Sequence, residues 1–280
     1  MVRDLDARRI EDAVCELCIR ACRELPEDIE KRMKEAAQEE DWGKAQSILE
    51  LLLQNAATAR ENAVPICQDT GMAVVFCELG QDVHVVGSFE QAVYSGVRRG
   101  YTEGYLRKSV VADPLRRKNT GDNTPPVIHL RLVPGDRVRL TVAPKGAGSE
   151  NMSRMTMLTP AQGMEGVHQF VMETVRLAGA NPCPPMILGV GVGGNFERAP
   201  ELAKEALLDS LDAWNPDPFY AEMEKKWLDE INEMGIGPQG LGGRTTCLGL
   251  HIHQEATHIA CLPVAVNVGC HVTRHATTIL

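Results

Sequence analysis

The sequence has no surplus of positive charge, no apolar run long enough to span a bilayer, no internal repeat and no low-complexity tract. Lysine and arginine number 29 against 38 aspartates and glutamates, a formal charge of -9. Proteins whose main partner is nucleic acid need net basic surface to displace counterions, so that class is excluded, although an anionic small substrate would still need local cations. No stretch approaches the roughly 18 to 20 apolar residues of a membrane span, and no membrane segment is expected. A basic start followed by an apolar signal segment is also missing. With nine cysteines, that argues for a reducing, cytoplasmic setting in which the cysteines are thiols or metal ligands rather than a disulfide framework.

What is present is the balance of a soluble globular protein: 280 residues, 44% apolar and 24% charged, enough for a sizeable core. Residues 7 to 60 read as helix, with Ile10, Val14, Leu17, Cys18 and Ala21 at helical spacing and a restart at Pro26. Beyond residue 62 strand patterns alternate with helices. Two hairpins are predicted, one from Met72–Leu79 with Val83–Val86, the other from Val127–Leu132 with Val138–Val142. Further helices are predicted from Ser88, over 161–177, 198–211 and 218–234, and strands over 247–252 and 259–268. The expected fold is α/β or α+β: a helical N-terminal segment, 1–62, packed on a mixed β-sheet layer with flanking helices, the latter forming one compact α/β domain over 63–280 that carries the candidate metal ligands.

Chemistry concentrates at Pro65-Ile66-Cys67-Gln68-Asp69-Thr70-Gly71, a thiol, an amide and a carboxylate in succession at a helix-to-strand junction. A turn-capping carboxylate would account for Asp69 in a purely structural way. Three other segments suggest a ligand. The polar, basic stretch from Tyr105 to Asn123 is either a solvated loop or an anion-binding lid supplying Arg107 or Lys108. The run Gly146-Ala147-Gly148-Ser149 would let backbone amides approach a ligand closely. Gly189 to Gly194 satisfies G-x-G-x-x-G, the signature of a dinucleotide-dependent oxidoreductase, but the helix that follows does not return directly to a parallel strand ending in an acidic residue.

The nine cysteines sort by neighbourhood. Cys15, Cys18 and Cys22 follow one face of a helix, and Cys77, Cys247 and Cys261 lie within or near strands, where a small apolar residue serves as well. Cys67, Cys183 and Cys270 sit on glycine- or proline-bounded loops, as metal ligands do. A structural zinc or iron-sulfur site takes four protein ligands, so three thiolates would leave one metal corner open for water or substrate. An open corner is a Lewis acid suited to hydration and dehydration of a hydroxycarboxylate.

Taken together, PICQDTGMAVVF, YLRKSVV, KNTGDNTP, APKGAGSENMS, ANPCPP with GVGVGGNFE, GIGPQGLGGRTT and LPVAVNVGCHVTRH resemble the α subunit of class I, iron-sulfur fumarate hydratases, and the similar L(+)-tartrate dehydratase α subunit. The resemblance runs over nearly the whole chain. It implies a lyase of the tricarboxylic acid cycle that hydrates fumarate reversibly to L-malate, with tartrate dehydration as the alternative. It further implies a [4Fe-4S] cluster on Cys67, Cys183 and Cys270, with a free iron chelating the dicarboxylate. Asp69 and His258 are implied as catalytic residues, Asp69 carrying a proton to or from the hydroxyl, and Gln68, Arg107, Gly148 and Ser149 as substrate contacts.

Two departures stand out. Arg244 occupies a position where similar sequences often have lysine, and Cys247 and Cys261 are additional thiols near the cluster motifs. The single-chain members continue into a second catalytic domain, whereas this sequence ends at Leu280. The resemblance therefore implies a separate β subunit carrying further carboxylate-binding groups and the base, in an α2β2 heterotetramer.

Overall fold

The first helix is fixed at its start by a side chain. Asp6, at the end of a short strand β1 (Arg3–Asp6), accepts a hydrogen bond from the Arg8 amide and caps α1 (Ala7–Arg23), satisfying one of the amides a helix start leaves without a partner. The computed structural model describes residues 2–280. After α1 come α2 (Glu27–Glu39), α3 (Gly43–Glu61), β2 (Met72–Gly80), β3 (Val83–Val86), α4 (Phe89–Glu103), β4 (Val127–Val133) and β5 (Val138–Lys145). A short turn of helix, α5 (Ala147–Glu150), leads to β6 (Arg154–Leu158), α6 (Gly163–Ala178), β7 (Met186–Gly194), α7 (Arg198–Glu205), α8 (Pro218–Asn232), β8 (Cys247–Thr257), β9 (Leu262–Gly269) and β10 (Ala276–Ile279). The class is mixed α/β, as the alternation of patterns predicts.

The chain forms two compact units, interleaved in sequence. One comprises the chain up to Pro26, Asn55–Ala147 and Arg274–Leu280; the other comprises Glu27–Gln54 and Gly148–Thr273.

In the first unit the sheet order is β10-β5-β2-β4, with β1 and β3 paired separately and in parallel. Neither predicted hairpin forms. β2 and β3 join different sheets, and β2 inserts between β4, its parallel neighbour, and β5, its antiparallel one. The reason is burial: Ala73, Val74, Val75 and Cys77 of β2 are all buried, so this strand occupies the sheet interior, where two neighbours satisfy its backbone. α1 packs against α4 through glycines. A Cβ on Gly100 would stand 2.8 Å from Cys18 Cβ, and one on Gly96 would stand 2.6 Å from the Glu11 carbonyl oxygen. Cys15, Cys18 and Cys22 are buried in this unit, as small apolar residues. Burial raises the Cys15 and Cys22 thiols to about 11 and the Cys18 thiol well above the usual range, so they pack as neutral groups.

In the second unit the order is β6-β9-β7-β8, with β7 parallel to β8 and antiparallel to β9. Met186, Ile187, Leu188 and Val190 are almost fully buried, and each such side chain contributes roughly 2 kcal/mol relative to exposure. The alternate glycines of β7 have a packing cause. A Cβ on Gly189 would lie 2.0 Å from the Ala203 carbonyl oxygen and one on Gly191 2.0 Å from that of Ala199, so α7 rests directly on the strand backbone.

That removes the dinucleotide reading, for a reason other than the one the sequence suggests. A parallel strand does follow, since β8 pairs with β7, but Gly189, Gly191, Gly193 and Gly194 all lie inside β7 instead of in a loop cradling a phosphate. Strands β1, β6 and β10 carry no signal long enough to have been predicted.

Candidate active site

The loop from Pro65 to Gly71 belongs to the first unit, where backbone bonds and buried side chains hold it from behind. The Ile66 amide donates to the Cys22 carbonyl at 2.9 Å, and Asn55 Nδ2 donates to the Ile66 carbonyl at 2.9 Å. Tyr101, fully buried on α4, donates its hydroxyl to the carbonyls of Thr70, at 2.8 Å, and Gly71, at 3.1 Å. Asn123, also fully buried, donates to the Gly71 carbonyl at 3.1 Å and accepts from the amides of Ser109 and Val110. Gly71 itself has φ +69°, and a Cβ there would meet the Lys145 carbonyl oxygen at 2.4 Å, so β5 passes directly against the loop.

Thus supported, the reactive residues face outward. Gln68 is exposed, while Cys67 and Asp69 are half-buried. The Asp69 amide donates to Cys67 Sγ at 3.4 Å, and Cys67 Sγ lies 3.3 Å from Gln68 Oε1. The Asp69 carboxylate accepts from the Gly71 amide through Oδ1 at 3.0 Å and from the Ala147 amide through Oδ2 at 2.8 Å. The capping geometry is therefore real. The same bonds aim the carboxylate, and Gly146 leaves it room, because a Cβ there would stand 3.2 Å from Oδ2. Arg107 is brought to this loop by Thr70, whose hydroxyl bonds both its amide and its carbonyl. Its side chain is exposed and has no ion-pair partner among the described residues.

Cys183 and Cys270 belong to the second unit, at one end of its sheet. Cys183 stands three residues before β7 and Cys270 one residue after β9, and the antiparallel register pairs Ile187 with Gly269. His271 ties the two loops: its amide lies 3.3 Å and its Nδ1 2.9 Å from the Cys183 carbonyl oxygen. Gln239 donates its amide and its Nε2 to the adjoining Pro184 carbonyl at 2.7 and 2.8 Å. Cys183 adopts φ +53°, a left-handed conformation uncommon outside glycine, and these bonds offset its cost. At Cys270 the Val272 amide donates to Sγ at 3.3 Å. Gly148 faces the carbonyl of Asn181 in the Cys183 loop, a Cβ there standing 3.8 Å away, and Ser149 is buried beside it. Glu150 follows, held by Lys204 Nζ at 2.5 Å and Asn267 Nδ2 at 3.1 Å.

His258 does not join this group. It sits just beyond the far end of β8, which runs parallel to β7, whereas Cys183 precedes the start of β7. Nine residues of strand at about 3.3 Å each separate them by roughly 30 Å. His258 is exposed, with Nδ1 accepting from the Ala260 amide at 3.1 Å, and together with Cys261 it borders an apolar cavity of about 320 Å³. Cys261 is therefore far from the Cys183 end. Cys247 is buried, its thiol raised to about 12 by desolvation, and packs as an apolar group. Arg244 forms an exposed ion pair with Asp41 at 3.6 Å.

Among the described residues no three or more His, Cys, Asp or Glu side chains stand together as a ready metal site. The fit of the cysteines to a cluster lies in their individual chemistry. Cys67 and Cys270 are each accessible on a loop and each receives a backbone amide on sulfur, a donor set suited to thiolate ligands. Five of the remaining six cysteines are buried. Thr70, Tyr101, Asn123, Gln239, His271 and Arg274 were missed in the sequence. Asn123 lies in the polar stretch that reads as either a solvated loop or an anion-binding lid, Thr70, Gln239, His271 and Arg274 lie inside motifs that assign them no role of their own, and Tyr101 has no local signature.

The model of the family described as fumarate hydratase (fumerase) matches residues 11–279. The chain is 38% identical over 275 residues to a putative L(+)-tartrate dehydratase subunit alpha of Methanocaldococcus jannaschii, covering 96% of each chain. It is 32% identical to the L(+)-tartrate dehydratase subunit alpha of Escherichia coli (strain UTI89 / UPEC), covering 90% of this chain and 84% of the relative. Against the corresponding protein of Escherichia coli (strain K12) the identity is 30%, with 91% and 86% covered.

Proposed function

Because the chain belongs to the fumarate hydratase family, we propose that it is the α subunit of a two-subunit iron-sulfur hydro-lyase that dehydrates a four-carbon hydroxydicarboxylate, with L(+)-tartrate as substrate. Similarity along almost the whole chain to relatives named as L(+)-tartrate dehydratase α subunits favours tartrate over the fumarate that the motifs alone put first. Reversible hydration of fumarate to L-malate is the second reading, favoured by the description of the matching family. The observation that carries the hydro-lyase reading is the pairing of Cys183 and Cys270 at one end of the β7–β9 ladder, secured by His271.

In this reading Cys67, Cys183 and Cys270 hold a [4Fe-4S] cluster, which when bound supplies a Lewis acid for the substrate's carboxylate and hydroxyl. Asp69 delivers a proton to the leaving hydroxyl in dehydration, and takes one from the added water in hydration, at a carboxylate oxygen whose direction the Gly71 and Ala147 amides set. Gln68 orients the substrate, and the Arg107 guanidinium binds a carboxylate with its planar fork. The Gly148 and Ser149 backbone approaches the substrate from the glycine loop. His258 has no role in this arrangement within one chain, because of its distance from the cysteine end. A β subunit supplies the remaining carboxylate-binding groups, in αβ pairs forming α2β2, and the enzyme works in the cytoplasm. Among the described residues no helix is long and apolar enough to cross a membrane.

The test is anaerobic reconstitution of the chain co-expressed with its β subunit, followed by assays on L(+)-tartrate, L-malate and fumarate and by EPR of dithionite-reduced samples with and without each acid. Faster turnover of tartrate and a spectrum altered by tartrate are expected. Faster turnover of fumarate establishes the second reading, and absence of any cluster signal rejects both.

A further inference from the structure

Arg274 follows Cys270 by four residues and is 4% exposed. Its Nη2 donates to the Asp69 carbonyl at 2.6 Å. Its buried Nε has no hydrogen-bond partner, and no carboxylate lies within ion-pair distance among the described residues. A guanidinium has five donors and does not deprotonate, so this is a buried cation lacking a counter-charge, an arrangement that is costly unless something else balances it.

Its neighbours do not. Burial raises Cys22 to about 11 and Tyr101 well above the ordinary phenol range, even though the charge of Arg274 pulls both down, so both are neutral. Asp69 turns its carboxylate to the amides of Gly71 and Ala147, leaving only its carbonyl to the arginine. The backbone of Asp69 is consequently held at both ends, its carbonyl by Arg274 and its amide against Cys67 Sγ.

We propose that Arg274 is a positioning residue whose buried cation balances the anionic cluster–thiolate assembly at Cys67 and whose bond to the Asp69 carbonyl fixes the loop. This rests on the reading of Cys67 as a cluster ligand. A cluster held by three thiolates carries net negative charge, so its arrival converts an unpaired buried cation into a paired one, and the cation in turn favours the more negative, reduced state of the cluster.

The test compares wild type, Arg274→Met, Arg274→Gln and Arg274→Lys as full chains, by thermal melting before and after anaerobic loading with iron and sulfide and by EPR-monitored redox titration of the loaded proteins. Before loading, Arg274→Met should lose less in melting temperature than after loading, because removal of the unbalanced charge offsets loss of the bond to the Asp69 carbonyl. After loading it should melt lower, with its reduction potential shifted down. Arg274→Lys, which keeps the charge, should stay near the wild-type potential. Arg274→Gln, which is uncharged and too short to keep the Nη2 bond but stays polar, should reproduce the shift if the methionine variant does not fold. Equal melting losses before and after loading, with unchanged potentials, would overturn the inference while leaving the cluster reading intact. A wild-type chain that takes up no iron and sulfide overturns the cluster reading and this inference with it.

Discussion

The Thr70 hydroxyl clasps Arg107 through two bonds, accepting from its amide at 2.9 Å and donating to its carbonyl at 3.2 Å. One side chain of the cysteine loop thus determines where a distant arginine leaves the backbone. Thr70 is 1% exposed, and Thr70→Val keeps its shape while leaving both Arg107 backbone groups without their partner. The variant should lose about 1–3 kcal/mol of stability and show a several-fold higher KM for the dicarboxylate at unchanged iron content. Denaturant melts and steady-state kinetics of the loaded αβ complex check this, and an unaltered KM would separate Arg107 from substrate binding.

Cys67 and Asp69 are neighbours with different tasks. Cys67→Ser should abolish cluster retention, measured as iron and sulfide per chain. Asp69→Asn keeps one side-chain oxygen for backbone donors, so the variant should retain the cluster and lose at least about 100-fold in turnover, within the usual range for a proton carrier. Equal loss of iron in both variants would show that Asp69 serves only to shape the loop.

His271 and His258 separate the two ends of the second unit's sheet. His271→Ala frees the Cys183 carbonyl from the ring and should accelerate iron loss to a chelator. His258→Ala, at the opposite end, should leave that rate unchanged. Indistinguishable rates in the two variants would contradict the assignment of Cys183 and Cys270 to a common site.

Gly191 tests the cause of the glycine run. A methyl group there would meet the Ala199 carbonyl oxygen at 2.0 Å, so Gly191→Ala must displace α7 and should cost about 3 kcal/mol or more, read by urea unfolding. A dinucleotide should neither bind the wild type nor rescue the variant.

Asp122 gives an acid-side prediction. Burial alone would raise its carboxyl, but hydrogen bonds from Arg98 and Thr124 outweigh burial and bring it from 3.8 down to about 2. Its contribution is complete above the unfolded value and is lost as pH falls through the folded one. Asp122→Asn should flatten that part of the acid limb by about 1 kcal/mol, since Arg98 is half-exposed and the pair is screened. Thermal melts between pH 2 and 5 measure the difference.

The sequence by itself determined the class, the helical start, most strand positions and, Cys261 in the β8–β9 turn apart, the division of cysteines into loop and packing thiols, because each follows from local periodicity or from glycine and proline nearby. It did not determine which strands pair. Met72–Leu79 reads as half of a hairpin, and only the packing of its buried face places it between β4 and β5. Nor could spacing show that Asn123 and Tyr101 brace a loop far away in the chain, since a polar residue in a polar stretch looks the same whether solvated or fully bonded. Tertiary structure decided that Gly189 and Gly191 make room for α7, that His258 and Cys183 lie at opposite sheet ends, and that Arg274 is buried with no ion-pair partner among the described residues. These depend on which surfaces meet and which donors find acceptors, a matter of three-dimensional contact that no local pattern encodes.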